Sequence, residues 1–133
     1  GFAIQSPLLE ANDERSPLMD KRYKGIDPKE LPLTESLQDC IDRLMPYYQH
    51  NILKAFETND VVLVVAHGNS LRGIVKTLKK MTDDEIISFN IPTGIPYVFE
   101  LDENLNLIKD EFIGDPETIK QLMEAVANQG KKK

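Results

Sequence analysis

The 133-residue chain has a single cysteine, Cys40, so no internal disulfide can form and a reducing compartment is expected. Long apolar runs are also missing. Nothing approaches the roughly 18 residues that a membrane span needs. Residues 1 to 20 lack the basic start and apolar core of a signal peptide. Positive charge is in deficit: 22 acidic against 16 basic side chains leave a net charge of −6. That argues against a general affinity for nucleic acid or for an anionic membrane, so neither is expected as a partner. An anionic substrate then requires positive charge gathered locally. The glycine-rich fingerprints of nucleotide sites, G-x-x-x-x-G-K-[ST] and G-x-G-x-x-G, do not occur. The expectation is a soluble, cytoplasmic protein of one domain.

What is present begins with proline. Pro7, Pro17, Pro28 and Pro32 punctuate residues 1 to 33, where no period of 2 or 3.6 is sustained. Proline fixes φ and lacks an N–H, so this reads as an irregular, loop-rich segment. Residues 34 to 127 read as the body of the domain, and 128 to 133 as a mobile basic tail. Leu37, Ile41, Leu44, Met45, Tyr48, Ile52 and Phe56 recur at helical spacing, which predicts a helix over 35 to 58. Thr34 is its expected N-cap and Pro46 its expected kink or break. Cys40 falls inside this pattern as a small buried side chain. Residues 61 to 66, all apolar, predict a strand covered on both faces. A helix follows over 70 to 80. Thr82 and Glu85 form a capping box, residues 97 to 101 and 107 to 113 a hairpin, and Asp115 and Pro116 open a last helix. A strand buried on both faces needs neighbours on each side, and one hairpin supplies too few. Either a strand is uncounted or part of the domain lies outside this chain.

The chemistry concentrates at "VVLVVAHGNSLRGIVKTL", residues 61 to 78. Where a buried strand ends, the following helix aims free N–H groups and its positive dipole end at the crevice, a ready anion site. Gly68 allows close approach of the backbone, and Asn69 can cap the helix or donate its amide to a phosphate oxygen. His67 can donate to the same oxygen or act as a cation. A structural histidine is the competing reading. Elsewhere, His50 falls on a polar helix face. Asp83, Asp84 and Glu85 suit a helix start better than a metal, and Lys76, Lys79 and Lys80 suit a helix end. "KRYK" at 21 to 24 is a basic cluster in an irregular region, either surface or next to an anion or a partner subunit.

"AHGNSLRGIVK" resembles the second-histidine motif of cofactor-dependent phosphoglycerate mutases, in the histidine phosphatase superfamily. "DKRYKGIDPKELPLTESL", "NIPTGIPYVFELDEN", "FIGDPETI" and "AVANQGK" resemble the same family in the same order, across essentially the whole chain. The resemblance implies a three-layer α/β/α sandwich, here incomplete. The family's R-H-G motif, which carries the nucleophilic histidine, does not occur in these 133 residues. The chain therefore looks like a C-terminal half that starts just after the family's arginine pair, and by itself it is expected to be inactive. For the intact protein the resemblance implies interconversion of 3-phosphoglycerate and 2-phosphoglycerate through a phosphohistidine. The cofactor would be 2,3-bisphosphoglycerate, with no metal. His67 would stabilise the phosphoryl group in flight without being the nucleophile, and Gly68 and Asn69 would bind the substrate. The partners implied are the missing N-terminal half and, in a dimer or tetramer, further copies. A bisphosphoglycerate synthase or phosphatase is the alternative in the same class. A catalytically dead scaffold of the same fold is the alternative in another.

Overall fold

The computed structural model describes residues 1–129. Residues 130 to 133, the lysine end of the expected tail, lie outside the described residues. The proline-rich start forms three short 3-10 turns, Pro17–Met19, Lys21–Tyr23 and Pro28–Glu30. Each is opened by the side chain of the residue before it: Ser16, Asp20 or Asp27 accepts a backbone N–H.

Helix α1 spans Leu37–Tyr47. Its N-cap is Ser36, not Thr34. Ser36 Oγ accepts the Asp39 N–H while Asp39 Oδ2 accepts the Ser36 N–H at 2.8 Å, a complete capping box. Thr34 donates instead to the Ser6 carbonyl at 2.6 Å and ties down the N-terminal stretch of chain. Pro46 lies inside α1, and the helix widens just beyond it into a π turn, Tyr48–Ile52, before α2, Leu53–Ala55. Proline removes one helical N–H and crowds the preceding turn, which accounts for the loss of regularity there.

Helix α3 spans Gly68–Lys79 and ends on Lys80 in a left-handed conformation (φ 52°). Helix α4, Asp83–Ser88, carries the Thr82–Glu85 capping box expected from sequence. Strands β1, Tyr97–Leu101, and β2, Leu107–Phe112, pair antiparallel from Tyr97 opposite Phe112 to Leu101 opposite Leu107, with a register shift at Glu100/Leu101. Asp102 accepts the N–H groups of Asn104 and Asn106 inside the connecting turn. Helix α5, Pro116–Gln129, is opened by Asp115, whose carboxylate accepts the Thr118 N–H.

The core is small. Cys40 and Ile41 of α1, Tyr48, Ile74 and Val75 of α3, Ile86 of α4 and Pro92 are the buried apolar side chains among the described residues. Gly73 is the point where α1 and α3 come together, close against Ile41 and Leu44. The hairpin is held to α3 by a polar cluster: Tyr97 Oη donates to Asp110, and Lys79 Nζ lies 3.0 Å from the same Asp110 oxygen. The Tyr97 ring stacks on Phe112 at 4.0 Å.

Residues 61 to 66 depart from expectation. The segment forms no strand: no partner strand adjoins it, and none of its backbone groups bonds to another described residue. Val61, Leu63 and Val65 are 84%, 86% and 84% exposed. Alternation of backbone and apolar pattern alone does not make a ladder; a strand needs a second strand to receive its hydrogen bonds. The described residues form a single two-stranded sheet, and the parallel neighbours that the apolar run calls for are not among them. The accessible surface, 10168 Å², shows the same deficit. A compact monomer of 15.1 kDa exposes about 7100 Å².

Candidate active site

Helix α3 follows directly on the apolar segment 61 to 66 and His67. His67 is its N-cap, with φ −62° and ψ 148°, and His67 Nδ1 accepts the Asn69 backbone N–H at 3.2 Å. The first N–H groups of a helix have no intrahelical partner. An imidazole nitrogen here does what serine and threonine oxygens do for α1 and α4. The cap therefore belongs to His67, and Asn69, the other candidate for it, is free to use its side chain elsewhere.

The cap assigns the tautomer through its hydrogen bond. Nδ1 serves as acceptor, so the ring proton sits on Nε2. In that form Nε2–H is a donor, and neither ring nitrogen offers a free lone pair. His67 is exposed and can present this N–H to a ligand. No described residue accepts from the Gly68 or Ser70 N–H. A Cβ built on Gly68 would meet nothing within 4 Å, so no packing contact demands glycine there and the helix start stands open.

Arg72, one turn further on, is the cation of this corner. Nη1 donates to Asn69 Oδ1 at 3.5 Å, and Nη2 donates to the Ile86 carbonyl and to that of Ile87 at 3.3 Å. Its Nε is enclosed and has no partner among the described residues. Burial pulls its pKa below the usual arginine value. Sequence reasoning passed over this residue, although its spacing of three from Asn69 on a helix was the available signal. Together, imidazole N–H, two backbone N–H groups and an asparagine amide make a set of donors with no carboxylate among them. Such a set, at the positive end of a 12-residue helix, suits an anion carrying several oxygens.

A sequence profile of the histidine phosphatase superfamily (branch 1) matches residues 6–111. The chain belongs to the histidine phosphatase superfamily. It is 61% identical over 132 residues to a protein of Porphyromonas gingivalis, covering 99% of this chain and 53% of the relative. It is 57% identical over 129 residues to one of Parabacteroides distasonis, covering 96% and 52%. With one of Treponema denticola it shares 47% over 132 residues, covering 99% and 53%. All three relatives are named 2,3-bisphosphoglycerate-dependent phosphoglycerate mutase. The chain spans about half the length of the curated relatives it matches.

Within this histidine phosphatase chain none of the remaining candidates bonds to the His67 ring. His50 is exposed in the π turn after α1. Asp83 pairs with Lys76 at 3.1 Å, Glu85 caps α4, and Lys79 pairs with Asp110. Arg22, in the Lys21 to Lys24 cluster, is paired with Asp20 at 2.6 Å. Cys40 is buried, with Sγ 3.9 Å from Ser70 Oγ beneath the first turn of α3. Among the described residues no group of three His, Cys, Asp or Glu side chains is placed to hold a metal, and no helix is long and apolar enough to cross a membrane.

Proposed function

We propose that this chain is the C-terminal half of a cytoplasmic phosphoglycerate mutase, whose complete domain interconverts 3-phosphoglycerate and 2-phosphoglycerate. One observation carries the reading: the His67 ring, pinned at the start of α3 with Nδ1 engaged, offers an Nε2–H donor and no lone pair. That is the form needed by a group that stabilises phosphoryl oxygens and does not attack. The nucleophilic histidine then belongs to the N-terminal half, together with the general acid–base group. The names of the relatives support the same assignment.

In this reading Gly68 N–H and the Asn69 amide hold the phosphate or carboxylate of the substrate, and His67 Nε2–H meets the transferring group. The donor set fits an anion such as 2,3-bisphosphoglycerate, which supplies the phosphoryl group that primes the enzyme. Phosphoryl transfer depends on positioning and on neutralising charge at the equatorial oxygens, and donors preset at a helix start provide both without reorganising. The unpaired apolar segment 61 to 66 is then a central strand of the complete domain, and the N-terminal half is its obligatory partner. The complete enzyme is a dimer or tetramer.

The test is His67→Ala in the complete protein. Loss of one preorganised donor lowers kcat on the order of 10²-fold, and loss of the cap lowers stability by about 1 kcal/mol besides. Normal kcat with a lowered melting temperature would return His67 to the role of a helix cap alone. The purified 133-residue chain should show no turnover of 3-phosphoglycerate, and measurable turnover would place the nucleophile within it.

A further inference from the structure

We propose that Arg72 is a positioning residue of this anion site: it fixes the Asn69 side chain with its amide nitrogen turned outward, and its own countercharge is the bound anion. The inference rests on the mutase reading for the identity of that anion. It adds a residue whose work is done through Asn69.

The geometry gives three reasons. First, an asparagine amide has two faces that a ligand can meet, one accepting and one donating. Arg72 Nη1 occupies Oδ1 at 3.5 Å, and no described residue accepts from Nδ2. The donor is therefore the end left for a ligand, and an amide flip would set Nδ2 against a guanidinium N–H. Second, the guanidinium is itself anchored. Nη2 is held by two carbonyls at the end of α4, Ile86 and Ile87, so the fork cannot swing away from Asn69 without losing both bonds. Third, the charge is unpaired. The four arginines of the chain are Arg15, Arg22, Arg43 and Arg72. The first three have a carboxylate within 2.9 Å. Arg72 has none among the described residues, in a chain with six more acids than bases. A half-buried cation held only by neutral carbonyl and amide oxygens favours a negative group beside it. The N-terminus of α3 would repel a second cation and attract an anion, so both features point to the same visitor.

Lysine cannot replace this fork, because one ammonium cannot hold two carbonyls and an amide in a fixed plane. Arg72→Met and Arg72→Lys in the complete protein test the idea. kcat and KM for 3-phosphoglycerate are measured alongside the Asn69 side-chain amide resonances, with and without inorganic phosphate. We expect Arg72→Met to lower kcat/KM roughly 10²-fold and Arg72→Lys to lower it about tenfold. The Asn69 amide signals should move in both variants and respond more weakly to phosphate. A control, Asp115→Ala, removes the cap of α5 and should lower the melting temperature while leaving kcat and the Asn69 signals as in wild type. If Arg72→Met fails to fold, Arg72→Lys carries the same readouts. Variants with kcat/KM within about threefold of wild type, or with unmoved Asn69 signals, overturn the proposal. If the wild-type protein does not turn over phosphoglycerate, the mutase reading fails by itself. The role of Arg72 is then decided by the Asn69 signals and the phosphate response alone.

Discussion

Gly73→Ala should destabilise the protein, although alanine is the better helix former. Gly73 is in the middle of α3, where it is buried against α1. A methyl group added there would lie 2.9 Å from Ile41 Cγ1 and 3.2 Å from Leu44 Cδ2. The first contact is with the root of a buried, branched side chain that cannot swing aside, so the helices must separate or Ile41 must leave its rotamer. Overpacking of this kind costs roughly 1–3 kcal/mol. Replacing glycine by alanine in a helix interior returns about 1 kcal/mol. The net expectation is a loss of about 1 kcal/mol, or a melting temperature lower by about 4 °C for a chain of this length. Urea denaturation of wild type and variant side by side reads the difference. Ile41→Ala alone should cost about 2–5 kcal/mol by leaving a cavity. Combining Ile41→Ala with Gly73→Ala should cost less than the sum of the two, because the new methyl occupies vacated space. A Gly73→Ala protein as stable as wild type, with additive behaviour in the double variant, would show that α1 and α3 do not meet at this residue.

Four further outcomes can be checked by similar means. Lys80→Gly should raise stability by about 1 kcal/mol in denaturant titration, since a left-handed φ of 52° burdens a residue with a Cβ. Tyr97→Phe keeps the stack on Phe112 but removes the hydroxyl from Asp110, and should lower stability by about 1–2 kcal/mol. The Tyr97 hydroxyl, and then Lys79, hold the Asp110 carboxyl below the usual carboxylate range. Its stabilising effect is therefore complete above the unfolded value near 4 and is lost as pH falls through the lowered folded value. Asp110→Asn should flatten that part of a stability–pH profile, and an unchanged acid limb would remove Asp110 from the account. Leu63→Asp should change the stability of the 133-residue chain by less than about 0.5 kcal/mol, because the side chain is 86% exposed. In the complete domain the same change should cost several kcal/mol if the segment is a buried strand, and equal small effects in both would contradict that.

Local signals carried much of this fold into the sequence. The capping box at Thr82 and Glu85, the opening of α5 at Asp115 and Pro116, and the hairpin at Tyr97 to Phe112 each depend on neighbours within a few residues, and each forms where its pattern stands. The start of α1 shows the limit of that reading. Thr34 and Ser36 are both capping residues, and the choice between them falls to Asp39, three residues after Ser36, and to the Ser6 carbonyl that engages Thr34. The spacing of Arg72 from Asn69 was legible, but its anchoring on α4 was not. Its partners on α4 lie 14 and 15 residues away, and no periodicity announces a side chain that bonds to the carbonyls of another helix. The segment 61 to 66 is apolar as read, but the strand buried on both faces that was expected there does not form among the described residues. Its pairing could not come from within the chain, because strand pairing belongs to the sheet and not to the strand.

The same segment has a practical consequence. "VVLVVA" is six residues of strong β propensity with no charge and no proline, flanked by Asp60 on one side and His67 on the other. Both edges of its backbone are free to bond, and its side chains alternate in the way that lets identical segments interlock face to face. A chain of this length held at high concentration should therefore pass from clear solution to fibres or gel through this stretch, at a rate that rises with concentration and falls when a charge is placed at Leu63. The residues that lead straight to the start of α3 are then also the ones that limit how long the isolated chain can be kept in a tube.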